Sequence, residues 1–249
     1  MRAGDLFDDA AMAVGYAYDR PPVHPHLMTR LVGTDAWRGP VEVAVDVGCG
    51  AGASTAALLP LARRVIGLDP FASMIRAARG AVRGATFVVA AAEALPCAAG
   101  SIDLLASSGA LNYADLHAFV LDADRVLDRD GLVVVSDYGF GRPQGDGFPA
   151  DWHERFIRRW PRPASTRVDA ASFAGTPLRV TVDERFAVSL ALTPAAYLAY
   201  LMTDTAVAQA VAAGTPLDEV RAWCAASLLD GYRSEQAVTF DGALLVLTR

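Results

Sequence analysis

The chain has 249 residues, 53% of them apolar and 20% charged, with a formal net charge of −6. That balance can fill a sizeable core and leaves no electrostatic footprint for nucleic acid, because lysine and arginine form no dense stripe. No apolar run reaches the ~18 residues a membrane span requires, and the first residues lack the basic start and long apolar core of a secretory signal, so a cytoplasmic protein with no membrane and no nucleic-acid partner is expected.

In chain order, Leu6-Phe7, Tyr16 and Tyr18 belong to a short helix, and Asp19-Arg20-Pro21-Pro22 to an extended passage leading into a helix over 26–32. Residues 43–55, Val-Ala-Val-Asp-Val-Gly-Cys-Gly-Ala-Gly-Ala-Ser-Thr, read as a buried strand, a tight turn and the start of a helix over 53–63. Gly48, Gly50 and Gly52 let the backbone bend and let a ligand lie against it where a Cβ would intrude. A second strand over 64–68 ends at Asp69, about 20 residues beyond the turn, where nucleotide-binding α/β folds place a carboxylate for ribose hydroxyls. A dinucleotide turn wants G-x-G-x-x-G for a pyrophosphate. Here the spacing is G-x-G-x-G, and Asp46 just ahead of it disfavours an added anion and favours a cationic ligand.

A helix over 70–79 follows, with Pro70 in its first turn and Met74 inside it, then a strand over 86–90 and the stretch Ala91-Ala92-Glu93-Ala94-Leu95-Pro96. A strand over 101–106 runs into Ser107-Ser108-Gly109-Ala110-Leu111-Asn112-Tyr113, which faces the ligand from the other flank. An amphipathic helix over 115–127, a turn at 128–131 and a strand over 132–135 complete the alternating part.

From Gly139 the texture changes. Glycines gather over 139–147, and Asp151 and Glu154 read as a capping box for an aromatic helix with Trp152, His153, Phe156 and Trp160. Such a glycine-hinged insert suits a lid over an apolar substrate. Arg155, Arg158, Arg159 and Arg162 read as a solvated helix face. A strand over 178–190, a helix over 193–212 carrying Tyr197 and Tyr200, a helix opened by Thr215-Pro216 and a strand over 236–248 end the chain. Cys49, Cys97 and Cys224, with His24, His26, His117 and His153, share no metal-ligand spacing, so no metal is expected.

With Asp46, the G-x-G-x-G turn and Asp69 in this order, the sequence resembles the class I S-adenosylmethionine-dependent methyltransferases, and within them the trans-aconitate methyltransferase-like and type 11 small-molecule group. Two further matches are Phe7, Tyr18 and Arg20-Pro21-Pro22, similar to a segment that covers the cofactor, and Ala91–Pro96, similar to Asp-Ala-Glu-x-Leu-Pro with Ala91 in place of the aspartate. The resemblance implies an α/β Rossmann-like methyltransferase fold over 1–249: a central, mostly parallel seven-stranded sheet with an antiparallel edge strand, helices on both faces and helical lid insertions. Residues 1–40 would cover the cofactor, 41–138 form the nucleotide-binding core, and 139–177 with 193–230 form the substrate side.

It implies S-adenosyl-L-methionine as cofactor and S-adenosyl-L-homocysteine as product, held by Tyr16, Arg20, Asp46, Gly48, Cys49, Gly50 and Thr55, then Asp69, Pro70, Met74, Ala92, Glu93 and Ser108. Arg20 suits the methionine carboxylate. The expected substrate wall is Tyr18, Asn112, Tyr138, Trp152, Tyr197 and Tyr200, with His153 and Tyr18 as catalytic candidates and His24, Tyr138 and Asp137 as other possible bases. The implied activity is O- or N-methylation of a small molecule, promoted mainly by proximity, by a monomer or homodimer; alanine, arginine and valine usage points to secondary metabolism in a GC-rich bacterium. A cyclisation or elimination on the same scaffold, a non-catalytic binding protein and, least favoured by the turn, a nicotinamide dehydrogenase are the alternatives.

Overall fold

The structure is a computed structural model that describes residues 7–145, 147–228 and 231–249. Leu6 and the remainder of residues 1–6, with Asp146, Leu229 and Asp230 of the two inserts, lie outside the described residues. Helices α1 (Ala10–Tyr18) and α2 (His24–Val32) precede the alternating part. That part runs β1 (Val41–Val47), α3 (Ala53–Leu58), β2 (Ala62–Asp69), α4 (Ala72–Ala81), β3 (Thr86–Val89), β4 (Ile102–Ser108), α5 (Leu116–Val126) and β5 (Leu127–Tyr138). Next come β6 (Arg142–Pro143), α6 (Trp152–Arg159), β7 (Arg179–Leu192), α7 (Pro194–Leu201), α8 (Thr205–Ala212), α9 (Leu217–Leu228) and β8 (Gln236–Thr248).

The sheet runs β3-β2-β1-β4-β5-β8, parallel through β5, with β8 reversed between β5 and β7. The mostly parallel α/β fold expected from the sequence is borne out, its antiparallel edge pair being β7 and β8. The sheet has eight strands because β6 continues β5 along the same edge of β8 after a break at 139–141. β1, the Val-rich run, lies between two parallel neighbours, β2 and β4, and Val43 to Val47 is buried throughout, as a strand covered on both faces must be. β7, at the edge, instead alternates exposed and partly buried positions along most of its length.

Several boundaries differ from the sequence reading for identifiable reasons. The helix expected over 53–63 stops at Leu58, because Pro60 has no N–H to give the Ala56 carbonyl. The helix expected over 193–212 is two helices, since Asp204 turns its carboxylate to the Ala206 N–H (2.9 Å) and starts α8 afresh. The turn at 128–131 survives as an excursion within β5, where the ladder passes from Ile102–Leu127 to Leu104–Leu132. Asp151 makes no cap bond at α6, so no capping box forms there; its carboxylate pairs with Arg155 at 3.4 Å, and the box appears at Asp169 and Ser172 instead.

One buried cluster gathers Leu27, Leu58, Leu104 and Val134 with the inserts' Trp152, Phe156 and Tyr197; another, on Leu105, Val133 and Leu247, takes in Phe119 and Val126 of α5. The inserts are fastened to the sheet at one residue: the Tyr197 hydroxyl donates to the Gly141 carbonyl (2.8 Å) and the Tyr200 hydroxyl accepts from the Gly141 N–H (3.4 Å). No described helix is long and apolar enough to cross a membrane.

Candidate active site

The parallel strands diverge at β1, with β2 on one side and β4 on the other, and in open α/β sheets a crevice forms beyond the carboxyl ends at such a point. A cleft of ≈ 690 Å³ occupies it here. The turn after β1 is tied down by the Gly48 and Cys49 N–H groups, both donating to the Leu68 carbonyl (2.8 and 2.9 Å). Gly48 has φ 70°, and a Cβ there would lie 2.1 Å from the Ala110 Cβ. Gly50 also has positive φ, 52°, yet a Cβ there would meet nothing nearer than a Tyr16 ring carbon at 3.9 Å, so its surface is open to the cleft.

Asp69 closes β2 in the cleft wall. One of its oxygens accepts from the Gly50 N–H and the other from the Phe71 N–H, both at 2.9 Å. A carboxylate has about four acceptor sites, so each oxygen keeps capacity for a further donor. Burial raises its pKa against the lowering effect of these two bonds.

Asp46 is placed differently from its expected role. It is fully buried behind the turn and does not line the main cleft. Its Oδ2 accepts from the hydroxyls of Ser54 (2.7 Å) and Thr55 (2.6 Å), fixing the start of α3, and its Oδ1 has no partner among the described residues. Burial pushes its carboxyl up to about 6, with the nearby Asp69 charge adding to the shift. Thr55, buried on Asp46, is likewise a support of the turn and not a cleft residue.

Tyr16, Arg20, Cys49, Pro70, Met74, Ala92, Glu93 and Ser108 all line the cleft together with Gly48, Gly50 and Asp69. The Glu93 carboxylate accepts from the Asp115 N–H at 2.8 Å. Arg20 stands over the ring of Tyr16 (4.6 Å) and near that of Tyr200 (5.7 Å), and among the described residues it has no carboxylate in ion-pair contact. Burial works against its charge, but Tyr16, Tyr138, Tyr200 and Asp204 outweigh that and raise its pKa.

Of the expected substrate wall, Asn112, Tyr138 and Tyr200 line the cleft. Tyr18 does not: it is 68% exposed, because Tyr16 and Tyr18 are ~200° apart around α1 and only the former turns inward. Trp152 and Tyr197 are both wholly buried and absent from the wall, Trp152 stacking on Phe156 at 5.4 Å with its indole N–H on Ser227. His153 lies flat against Phe140 (4.0 Å) outside the wall, and its Nε2 is buried without a partner among the described residues. Burial and the Arg162 charge lower its pKa. Neither Tyr18 nor His153 therefore occupies the position of a catalytic group. His24, in the wall beside Tyr138, is pushed down to about 4 by burial and by Arg20, so it is neutral at neutral pH.

The outer wall is charged where the sequence reading expected it apolar. Arg162, read as solvated surface, holds Asp204 through two bonds, Nε to Oδ1 at 3.0 Å and a second nitrogen to Oδ2 at 2.5 Å. Arg167, Arg185, Asp137, Asp169, Asp183 and Asp241 also line it. Tyr113, at the end of the stretch expected to face the ligand, and Phe71, which carried no such expectation, meet Phe7 at 5.5 and 6.1 Å and roof the cleft beside Tyr16. No group of His, Cys, Asp and Glu among the described residues could hold a metal ion.

Comparison with known proteins agrees with this geometry. Residues 45–135 match the family described as methyltransferase domain. A protein from Dictyostelium discoideum named as a methyltransferase is 29% identical over 98 residues, which cover 39% of this chain and 37% of that one. The matched region spans less than half the length of the curated relatives. The solved structure of a type II methyltransferase from Anaeromyxobacter dehalogenans is similar over 91% of this chain and 95% of its own, with TM-score 0.67 and 25% identity. A geranyl diphosphate C-methyltransferase from Streptomyces coelicolor, solved with S-adenosyl-L-homocysteine, shares the fold over 91% of this chain and 78% of its own, at TM-score 0.51 and 18% identity.

Proposed function

We propose, from the premise that this chain carries a class I methyltransferase domain of the type 11 group, that it transfers a methyl group from S-adenosyl-L-methionine to nitrogen or oxygen of a small molecule. The observation that carries the reading is the pairing of Gly50, bare toward the cleft, with Asp69, whose oxygens each hold one main-chain N–H and have room for a ribose hydroxyl. A phosphate-bearing nucleotide fits this wall poorly, because Asp69 lines it at the turn and Asp46 is buried just behind.

The residues present suit the sulfonium nucleoside. Asp69 would take the ribose, Phe71 and Met74 the adenine side, the Gly48–Gly50 backbone the amino-acid end, and Arg20, partly buried and without a carboxylate in ion-pair contact among the described residues, the methionine carboxylate. When bound, the sulfonium supplies an electrophilic methyl: a bond from the acceptor atom to carbon forms, the carbon–sulfur bond breaks and its electron pair stays on sulfur. What the chain contributes is position and exclusion of water. Holding reactants in line supplies ~7 to 11 kcal/mol, and the ring contacts of Phe7 with Tyr16 and Tyr113 at the cleft would help to keep water out. Titration calorimetry with S-adenosyl-L-homocysteine should show one site per chain, and mass spectrometry of an acceptor turned over should show the gain of one CH₂. No heat on titration would defeat the reading.

A further inference from the structure

Beyond the glycine turn the cleft continues over the β5, β8 and β7 end of the sheet, and there several of its charges stand apart. Asp137 of β5 is in register with Ala243 of β8, which is in register with Arg185 of β7, and all three line the cleft. They form one row on one face, with the small Ala243 as floor and two strand spacings, about 9.6 Å, between the outer backbones. Arg167 joins the wall from the segment before the Asp169 cap.

Among the described residues neither Arg167 nor Arg185 makes an ion pair or a side-chain hydrogen bond, unlike Arg162, which is committed to Asp204, although the Arg167 charge is near enough to Asp169 to help lower that carboxyl's pKa. Asp137 is half engaged. Its Oδ2 accepts from the Asn112 amide at 2.8 Å, while its Oδ1 lies over Gly109, 3.3 Å from where a Cβ would be, and has no hydrogen-bond partner among the described residues. The carboxylate is thus beside the end of β4, on the side of the glycine turn, and the guanidinium is at the far end. Asp183 shares the wall and the face of Arg185, so the lobe carries both signs and does not favour a polyanion such as a diphosphate.

We propose that this lobe binds a small zwitterionic acceptor, an amine-bearing carboxylic acid, with its nitrogen at Asp137 and Asn112 and its carboxylate at Arg185 and Arg167. The assignment rests on the methyl-transfer reading above and names its acceptor class. The ammonium nitrogen gives one proton to Asp137 Oδ1 and, with its lone pair freed, takes the methyl carbon in that proton's place. Arg185 and Arg167 fix the distance at which the nitrogen stands, and guanidinium groups suit a carboxylate because two N–H groups can face its two oxygens.

The test uses the full chain saturated with S-adenosyl-L-homocysteine. Calorimetry with glycine, β-alanine, 4-aminobutyrate and 6-aminohexanoate is set against the alkylamine and the carboxylic acid of each length. The expected result is that at least one amino acid binds tenfold or more tighter than both single-charge analogues. Arg185→Gln should reduce that affinity to the amine's level and Arg185→Lys restore part of it, with S-adenosyl-L-homocysteine affinity and melting temperature unmoved. Asp137→Asn should reduce it to the acid's level. Equal binding of all three classes, or full affinity in Arg185→Gln, would overturn the proposal. Absence of S-adenosyl-L-homocysteine binding is a separate outcome that removes the underlying reading and the acceptor assignment with it.

Discussion

Replacing Asp69 by Asn tests the cofactor assignment at the group that carries it. The carboxylate satisfies two loop N–H groups, one from Gly50 and one from Phe71, and two hydroxyls of a bound ribose would complete its shell. An amide has the same shape but one acceptor, so its NH₂ must face one of the two loop donors, and only one hydroxyl keeps an oxygen. A hydrogen bond to a charged group is worth about 1.5 to 3 kcal/mol. Losing one such bond and the charge component of the other amounts to about 3 kcal/mol, or roughly a hundredfold in affinity. Asp69 is only 6% exposed, so solvent screening takes little from that figure. Calorimetry with S-adenosyl-L-homocysteine at neutral pH measures it, and a melting curve separates weakened binding from an altered fold. An Asp69→Asn variant that keeps its fold and binds within threefold of the parent would refute the reasoning.

Asp46 gives a pH signature. Its carboxyl is raised from the ordinary 3.8 to about 6 in the folded chain, so between those values the native state holds a proton that the unfolded state has released. The group therefore costs stability above pH 6 and the cost fades on acidification toward pH 4; about 2 pH units correspond to about 3 kcal/mol. Asp46→Asn should lack this component, seen as a flatter pH dependence in denaturant melts from pH 7 to 4.5. Trp152→Ala should cost about 3 to 5 kcal/mol, the range for removing a wholly buried aromatic, and lower the melting temperature by roughly 6 to 20 °C. Arg162→Gln strands the Asp204 carboxylate, whose side chain is 9% exposed; with Arg162 itself 36% exposed the full cost of breaking a buried pair is discounted to about 2 kcal/mol, and adding Asp204→Asn should recover part of it in a double-mutant cycle. Tyr18→Ala should change stability by less than about 0.5 kcal/mol and leave S-adenosyl-L-homocysteine binding unchanged in the same titration.

What was legible in the sequence lay in local chemistry. The strand, turn and helix around Gly48 to Gly52 declared themselves because backbone geometry there depends on neighbours in the chain, and Asp69 followed from the length of one crossover. Where the reading failed, two environments share one pattern. Trp152 and Tyr197 sit at amphipathic spacing, which announces a buried face without saying whether protein or ligand covers it; here protein does. Tyr16 and Tyr18 are the same residue type on opposite sides of a helix, and only the helix phase decides between cleft and solvent. The row of Asp137, Ala243 and Arg185 had no local signal at all, since it is created by the pairing of strands far apart in the chain. Asp204 was passed over inside an assumed long helix, although an aspartate followed by Thr205 and small residues is itself a start signal.

The fastening at Gly141 has a consequence for how such a chain could be recombined. Both backbone polar groups of a single residue, Gly141, are claimed by tyrosines about one helical turn apart, and a Cβ at that glycine would stand 2.5 Å from the Phe240 ring. A helical cap transplanted onto this scaffold must therefore bring its own pair of hydroxyls to that glycine, and a scaffold receiving this cap must offer a bare backbone residue there. The joint works as a docking key three residues from the end of β5: grafts that respect it inherit the alignment of the outer cleft wall, and grafts that ignore it begin out of register.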